Sequence, residues 1–226
     1  MRRYVFLIFS LFTLLSAFSQ THYVSHVHVG VHAGVSLAEM SFSPSVKQSF
    51  SQGLTGGVSI RYVEERHVGI LAELNFSQRG WAENFEESPL KYSRTLNYID
   101  LPVMTHIFFG GRNFKGFINL GPQISYMIGS SISSNFDYEN PRSDPNFPNK
   151  VRMTEQMSMA VKNKFDYGIT AGLGMEAIIR RRHCVTLEAR YYYGLGSIFS
   201  STKKDTFSAS RTMNIAVTLG YQFRIK

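Results

Sequence analysis

The architecture of this chain can be inferred first from residues 27–37, which read VHVGVHAGVSL. Valine, alanine and leucine occupy every odd position of this stretch, whereas histidine, glycine and serine occupy every even position. Successive side chains of a β-strand point to opposite faces, so a period of two predicts a strand with one apolar and one polar face. The stretch is also as long as a tilted strand that crosses a bilayer.

The same alternation recurs seven times after residue 37, which predicts eight strands in all. No segment after the N-terminal region has a convincing helical period. The larger residues predicted to lie on the apolar faces of the later strands are Leu54, Val58, Ile60 and Tyr62; Val68, Ile70, Leu74 and Phe76; Ile99, Leu101, Val103 and Ile107; Ile118, Leu120, Ile124 and Tyr126; Tyr167, Ile169, Leu173 and Met175; Val185, Leu187, Tyr191 and Tyr193; and Met213, Ile215, Val217, Leu219, Tyr221 and Phe223.

The connections between the predicted strands alternate in length. The short ones are residues 64–67, 110–115 and 179–183, and the long ones are residues 39–53, 78–94, 129–164 and 194–211. Bacterial outer-membrane barrels have short turns on the periplasmic side and long loops outside. An even number of strands would then place both termini in the periplasm, and we expect four mobile outer loops.

Alternation alone also fits a soluble eight-stranded calyx, whose apolar face would turn inward. A solvated outer surface should be rich in lysine and glutamate. The polar faces instead contain mainly glycine, serine, threonine and asparagine with a few isolated charges, and no lysine. Small residues suit the crowded lumen of a narrow barrel. We therefore predict an all-β fold, a closed antiparallel eight-stranded transmembrane β-barrel with up-and-down connectivity.

Aromatic residues are predicted to form two girdles where the barrel meets the membrane interfaces. The girdle toward the short turns comprises Tyr62, Phe109, Phe117, Tyr221 and Phe223. The girdle toward the long loops comprises Phe76, Tyr126, Tyr167, Tyr191 and Tyr193.

The N-terminal residues have the pattern of a secretory signal peptide. Arg2 and Arg3 precede an apolar run over residues 5–15, and the small residues Ala17 and Ser19 follow it. We predict a signal peptide over residues 1–19 and a single barrel domain over residues 20–226, exported to the outer membrane. The single cysteine, Cys184, excludes an internal disulfide and is interpreted as a packing residue.

The polar faces place several charges inside the predicted lumen. The proposed structural network comprises Arg61, Glu73, Asp100, Glu176, Glu188 and Arg190, with Asp166, His28, His32 and His106 on the same face. Such carboxylates could act as a general acid and base if burial separated their pKa values. We favour mutual neutralisation inside a barrel too narrow to conduct. In particular, Arg61 and Glu176 should meet across the lumen.

Two chemical alternatives are weighed against this structural interpretation. His22, His26, His28 and His32 fall at even positions, and His-x-His pairs can bind zinc, but no cysteine or carboxylate lies close to them in sequence. A protease-like pair of Asp100 and His106 would be roughly 20 Å apart along one strand. We therefore predict no catalytic residues, no bound metal and no cofactor.

The formal net charge of +8 could suggest nucleic acid as a partner, but export argues against it. Membrane lipid or lipopolysaccharide, whose head groups are anionic, is the more reasonable counter-charge. An inner diameter set by eight strands also makes a general diffusion porin improbable.

Several strand motifs together resemble one family of barrels. Residues 74–80, LNFSQRG, and residues 97–102, NYIDLP, resemble the third and fourth strands of the PorT-like outer-membrane barrels of the Bacteroidetes. Gly121-Pro122, residues 168–176 and residues 187–191 (LEARY) follow the same family pattern in order. The resemblance extends over the whole chain after the signal peptide and says least about residues 129–164.

The resemblance implies an OmpA/OmpX-like barrel associated with type IX protein secretion. On this basis we expect a non-catalytic accessory component whose partners are other proteins of the secretion system. The alternative expectation is a structural or surface-binding outer-membrane barrel with no role in secretion.

Overall fold

The computed structural model describes residues 24–85, 88–151, 153–199 and 206–225. The predicted signal peptide, residues 1–19, lies outside them. Eight long strands form the structure: β1 (His26–Ser43), β2 (Ser51–Val63), β3 (Val68–Glu83), β4 (Tyr92–Gly110), β5 (Phe114–Ser134), β6 (Phe165–Ile179), β7 (His183–Gly194) and β8 (Ala209–Arg224).

Each strand pairs antiparallel with the next one along the chain, and β8 pairs with β1. The sheet is therefore closed, and the predicted eight-stranded, up-and-down β-barrel is confirmed. A two-residue strand, Gln48–Ser49, adds to the far end of β3. The other elements are a 3₁₀ turn (Pro141–Ser143) and a helical turn (Glu155–Ser158). No helix of the described segments is long and apolar enough to span a membrane.

The orientation of the two faces matches the prediction made from the alternation. Large apolar side chains point outward and stay exposed in the isolated chain; Leu219, for example, is 62% exposed. Polar side chains of the same strands, such as Glu73 and Asn119, are buried inside. Since such an exposed apolar belt is stable only in a lipid environment, the barrel crosses a membrane.

Two individual residues on the strands depart from the prediction. Phe117, assigned to the outward girdle, is buried in the lumen against Val63 and Phe108. It has the same parity as the inward residue Asn119, so the alternation should have placed it there. Lys115 was assigned to a turn, but β5 begins at Phe114, and this lysine lies at the inward edge of the lumen.

The strands extend much further toward the long loops than predicted. β3 continues to Glu83 and β4 begins at Tyr92, so the predicted loop over residues 78–94 shrinks to residues 84–91. β5 is 21 residues long and continues to Ser134. These lengths exceed what a tilted strand needs to cross a bilayer, so the barrel projects beyond it.

The lumen of this projecting part contains an apolar core, which we call the plug. Parts of three long loops pack into this core, which the expectation of four mobile outer loops did not include. Its buried members are Met40, Phe42, Trp81, Phe85, Leu90, Tyr92, Leu96, Tyr98, Met127, Phe147, Met157, Ile198, Phe199 and Phe207.

Candidate functional site

The polar side chains of the lumen form three charged layers below the plug. The first layer lies nearest the short turns, where β2 and β6 place Arg61 and Glu176 on opposite walls. The Arg61 Nη1 atom donates a hydrogen bond to Glu176 Oε2 at 2.6 Å, so the structure brings together the pair that the sequence suggested. The Lys115 Nζ atom is 3.9 Å from the other carboxylate oxygen of Glu176.

Two histidines complete this layer, and their hydrogen bonds define them as neutral. The His106 Nδ1 atom is 2.7 Å from Asn119 Oδ1, which can only accept, and His106 Nε2 is 3.1 Å from Arg61 Nη1, which can only donate. His106 therefore carries its proton on Nδ1. His28 Nδ1 lies 3.4 Å from Arg61 Nη2 and is likewise an acceptor.

The middle layer is centred on Arg190 of β7, which bridges two carboxylates. Its guanidinium donates two hydrogen bonds to Glu73, one of them 2.9 Å long, and two to Glu188 at 2.8 and 3.1 Å. Asn75 donates to Glu73 at 2.8 Å, and Asn119 donates to Glu188 at 2.9 Å. These amides satisfy carboxylate lone pairs that Arg190 leaves open, which buried charges require.

The third layer contains a residue that the sequence interpretation missed. Arg79 is fully buried, forms an ion pair with Asp100, and places Nη1 3.8 Å from Asp166 Oδ2. Its guanidinium lies over the rings of Tyr98 and Tyr192, at 4.8 and 4.3 Å from their centroids. Residue 79 had been assigned to a loop. The sequence nevertheless indicates its position, because residues 73, 75, 77 and 79 share one parity on β3 and therefore lie on the same, inward face.

The two carboxylates of this layer are also held by hydroxyl groups. Ser77 donates to Asp100 at 2.6 Å. Thr212 and Tyr192 donate to Asp166 Oδ2 at 2.6 and 3.0 Å. All six residues of the proposed network therefore lie in the lumen, but in three separate layers, and Lys115, Arg79 and Asp166 are further charged members of these layers.

The plug closes the lumen above the third layer. Tyr92 donates to the carbonyl of Met157 at 2.7 Å, and Arg94 donates to the carbonyl of Met159 at 2.6 Å. These bonds fasten the helical turn Glu155–Ser158 inside the mouth of the barrel, where Met157 is 0% exposed. The loop about which the sequence says least therefore supplies the centre of the plug.

One carboxyl group lies within the plug. Glu83 Oε1 accepts hydrogen bonds from Trp81 Nε1 and Gln156 Nε2, both at 3.1 Å. Glu83 is seven residues beyond Phe76, the last large apolar outward residue of β3, or roughly 23 Å along the strand and outside the membrane. Burial raises the pKa of Glu83 to about 7.

The short-turn end of the lumen is open instead of sealed. A cavity of about 360 Å³ enters there and reaches the first charged layer. Its apolar wall includes Val63, Phe108 and Ile178, and Cys184 is buried beside it, in keeping with a packing role.

The histidines proposed as alternative metal ligands do not converge. His26 Nδ1 is 2.6 Å from Arg224 Nη2, His28 contacts Arg61, and His32 Nε2 is 3.9 Å from Glu73. His22 lies outside the described residues. Within the described segments, no group of three or more histidine, cysteine, aspartate or glutamate side chains could hold a metal ion.

The closed barrel with its apolar belt and polar lumen defines an integral membrane β-barrel. A family model described as "Outer membrane protein beta-barrel domain" matches residues 18–200. The chain belongs to this family, and the protein is therefore an outer-membrane protein. No curated protein matches the sequence.

One solved structure with a TM-score above 0.5 supports the same fold, and others are similar at lower scores. The outer-membrane protein OprG from Pseudomonas aeruginosa is similar at a TM-score of 0.52 and 9% identity, over 88% of this chain and 95% of that one. Neisserial surface protein A is similar at a TM-score of 0.46 and 12% identity, over 89% and 99%. The outer-membrane enzyme PagL is similar at a TM-score of 0.38 and 10% identity, over 86% and 98%. At these identities the likeness concerns the fold alone.

Proposed function

We propose that this protein is a non-catalytic outer-membrane barrel that acts by binding partner proteins, as an accessory component of type IX secretion. The observation that carries the proposal is the closed lumen. Across the described residues, three layers of paired charges and then the apolar plug fill the barrel from the first layer to the long-loop end. A barrel filled in this way acts through its lipid-facing, loop and turn surfaces.

The pairing of the lumen charges supports the non-catalytic part of the proposal. A general acid or base must reach a substrate, and its pKa must differ from that of its partner. Here Glu73 and Glu188 share one arginine, while Asp100 and Asp166 share another and accept bonds from hydroxyl groups. Both layers are covered, by the plug on one side and by the first layer on the other.

The loop lengths support the orientation that we propose. We place the short turns, residues 64–67, 111–113 and 180–182, and both termini in the periplasm, and the plug at the cell surface. The periplasmic turns are then the surfaces available to the secretion proteins with which PorT-like barrels are associated. Lipid and lipopolysaccharide would surround the apolar belt.

Deletion of the gene tests the secretion role. We expect extracellular protease activity to be lost and the proteases to accumulate in the cell, with secretion restored by the wild-type gene. The sensitivity of the deletion strain to detergent is the control, because general damage to the envelope would raise this sensitivity. Normal secretion in the deletion strain would contradict the proposal.

The packed loops favour a second candidate, a structural or surface-binding barrel without a secretion role. The bonds from Tyr92 and Arg94 to the helical turn fix the outer loops in one arrangement, as a preorganised binding surface requires. In the deletion strain this candidate predicts normal protease secretion together with reduced adhesion or altered envelope integrity.

A further inference from the structure

The outer part of β5 has a neighbouring strand on one side alone. Residues 114–126 of β5 pair with β6, but β5 continues past Phe165, the first residue of β6. Residues 129–134 pair with β4, which is itself paired with β3 as far as Ser93. Within the described residues, no strand and no backbone hydrogen bond covers the opposite side of residues 129–134. The barrel wall therefore has a free strand edge there, which we call the β5 edge.

One backbone hydrogen bond marks the place where β5 loses its second neighbour. The N–H group of Met127 donates to the carbonyl of Lys164 at 2.7 Å, on the side away from β4. The register with β4 then shifts, because Ile128 has no partner on that strand. Such a bulge reverses, for the residues beyond it, which of them direct their backbone groups toward the partner strand.

A second hydrogen bond, at the far end of β5, assigns the backbone groups of the β5 edge. The N–H group of Asn135 donates at 3.3 Å to the carbonyl of Lys91, the residue before β4. Alternate residues of an antiparallel strand direct both backbone groups to the same side, so the odd-numbered residues beyond the bulge face β4. The N–H and C=O groups of Ser130, Ile132 and Ser134 therefore point to the free side, where the described residues offer them no partner.

The β5 edge contains no residue that would keep it from pairing. Natural proteins protect long edges with lysine, proline or a covering segment, among other means. Residues 129–134 read GSSISS, without lysine, proline or charge, and Ser130, Ser131 and Ser133 are exposed. The edge is roughly 20 Å long, which is the length of an average strand. An exposed row of unpaired backbone groups of this length can bind an extended polypeptide as an additional strand.

The membrane restricts which polypeptide can bind to this edge. Unpaired backbone groups are too costly in hydrocarbon, so the β5 edge lies outside the bilayer. Two copies of the barrel in one bilayer would be related by a two-fold axis along the membrane normal, and both β5 strands would run outward. Since barrel strands tilt by about 35–45°, the two edges would cross at roughly 70–90° and could not pair along their length. A segment of another protein is free of this constraint.

We propose that the β5 edge binds an extended segment of a partner protein, which adds to the barrel wall as a strand. The backbone groups of Ser130, Ile132 and Ser134 supply the hydrogen bonds. Lys164 is exposed and lies beside the end of the edge nearest the membrane, because its carbonyl accepts the bond from Met127. The segment therefore has uncharged residues of high strand propensity, no proline, and an acidic residue at that end. This inference rests on the membrane belt and not on a role in secretion.

Fluorescence anisotropy of a labelled peptide tests the proposal on the full chain, refolded into a maltoside detergent. The probe is a capped peptide of alternating threonine and valine with glutamate at one end. We expect saturable binding that Ser130→Pro weakens at least about tenfold, because proline removes an N–H group on the free side and leaves the pairing with β4 intact. Ser130→Ala is the matched control: it removes the same hydroxyl group, keeps the N–H group and should change the affinity less than about twofold. Equal effects of the two substitutions, or no binding to wild type, would overturn the proposal.

Methylated peptides test the same contact without a change in the protein. A peptide with N-methyl groups on alternate residues keeps one edge with free N–H groups, whereas a peptide methylated on every residue keeps none. We expect the first to bind wild type within about threefold of the unmodified probe and the second to show no binding. Equal affinity of the two methylated peptides would show that the contact is not a strand pair.

Two further measurements examine the partner. Lys164→Glu should weaken binding of the probe about threefold and strengthen, by a similar factor, binding of a peptide with lysine in place of glutamate. Unchanged affinities would contradict the preference for an acidic residue. Native mass spectrometry of the protein in nanodiscs should show a monomer. A dimer that Ser130→Pro abolishes would identify a second copy of this chain as the occupant of the β5 edge and would overturn the proposal.

Discussion

The strands of the barrel have opposite face polarities in its two halves, the membrane belt and the part that projects beyond it. Within the membrane belt of β4, the outward residues Leu101 and Val103 are apolar and the inward residue Asp100 is charged. Beyond the belt, the inward residue Leu96 is apolar and buried, while the outward residue Thr95 is polar. On β4 the alternation of inward and outward residues continues from one half to the other, but the polarity of the two faces is exchanged.

The exchange follows from what surrounds the barrel. Lipid accepts apolar side chains and rejects charges, so in the belt the polar residues must find partners inside. Water surrounds the projecting part, and there burial of apolar surface is favourable, as in a soluble protein. On β1 the change occurs between Leu37, an exposed apolar outward residue, and Met40, which belongs to the plug. The exchange therefore marks the level at which the strand leaves the bilayer.

Removal of the arginine in the third layer should have the largest effect. Arg79→Met leaves Asp100 and Asp166 buried without a cation, and loss of one partner of a buried pair costs about 3–5 kcal/mol. We expect this loss in urea unfolding followed by circular dichroism in lipid vesicles. Arg66→Met, in the exposed turn before β3, is the control and should cost less than about 0.5 kcal/mol. If both variants have similar free energies of unfolding, the stability of the membrane belt does not depend on its inner charge pairs.

The cost of placing a charge on the outer face should distinguish the membrane belt from the projecting part of the barrel directly. Leu219→Arg places a cation in the membrane belt, which costs about 2–4 kcal/mol near the middle of a bilayer. Ser41→Arg, on the outward face of β1 beyond the belt, should be nearly neutral. The measurement is again urea unfolding in vesicles. If both substitutions cost the same, the projecting part of the strands would also be in lipid.

The plug should respond to pH through Glu83. Because burial raises the pKa of Glu83 to about 7, above its ordinary value of 4.5, the folded plug favours the protonated form. Its contribution to stability is therefore complete below pH 4.5 and is lost as the pH rises through 7.

In the Glu83→Gln variant, the plug should keep its stability as the pH rises from 4.5 through 7. At pH 8 it should be more stable than the plug of the wild type, by on the order of 2 kcal/mol. Amide hydrogen exchange of the helical turn Glu155–Ser158, measured at several pH values, checks this prediction. A pH dependence that is unchanged in Glu83→Gln would exclude this carboxyl group as its source.

The smallest effect is expected at the open end of the lumen. Arg61→Leu leaves Glu176 without its closest partner, but Lys115 is 3.9 Å away and the cavity admits water. We expect a loss of about 1–2 kcal/mol and a lower unfolding temperature. The temperature at which the folded band disappears in electrophoresis measures it. An unchanged temperature would show that the Arg61–Glu176 pair contributes nothing to stability.

The sequence predicted the membrane belt well because one local rule governs it. Strict alternation with a single polarity assigned the faces of all eight strands and placed the Arg61–Glu176 pair. The same rule concealed Arg79 and Trp81, because from Gln78 onward the outward residues are no longer large and apolar, and at Trp81 the inward residue becomes apolar, so the pattern no longer resembles a membrane strand. The alternation of inward and outward positions on β3 continues through both residues. Their positions alone therefore predict that both side chains point inward, although their polarity does not.

The plug and the cavity depend on contacts that no local pattern contains. Met157 and Phe199 come from different long loops and meet in the mouth of the barrel. The inward position of Lys115 depends on where β5 begins. These features arise from pairing between strands distant in sequence.

Fluorescence of Trp81 tests most directly the claim that the inward face becomes apolar beyond the membrane. It is the single tryptophan of the chain and is fully buried in the plug. In vesicles of brominated lipid, we expect a short-wavelength emission that is quenched neither by the lipid nor by acrylamide in the water. Trp81→Phe with Leu101→Trp places the fluorophore in the outward belt, and the brominated lipid should quench it strongly. Quenching of native Trp81 by the lipid or by acrylamide would contradict the account, because the residue would then face the bilayer or the water.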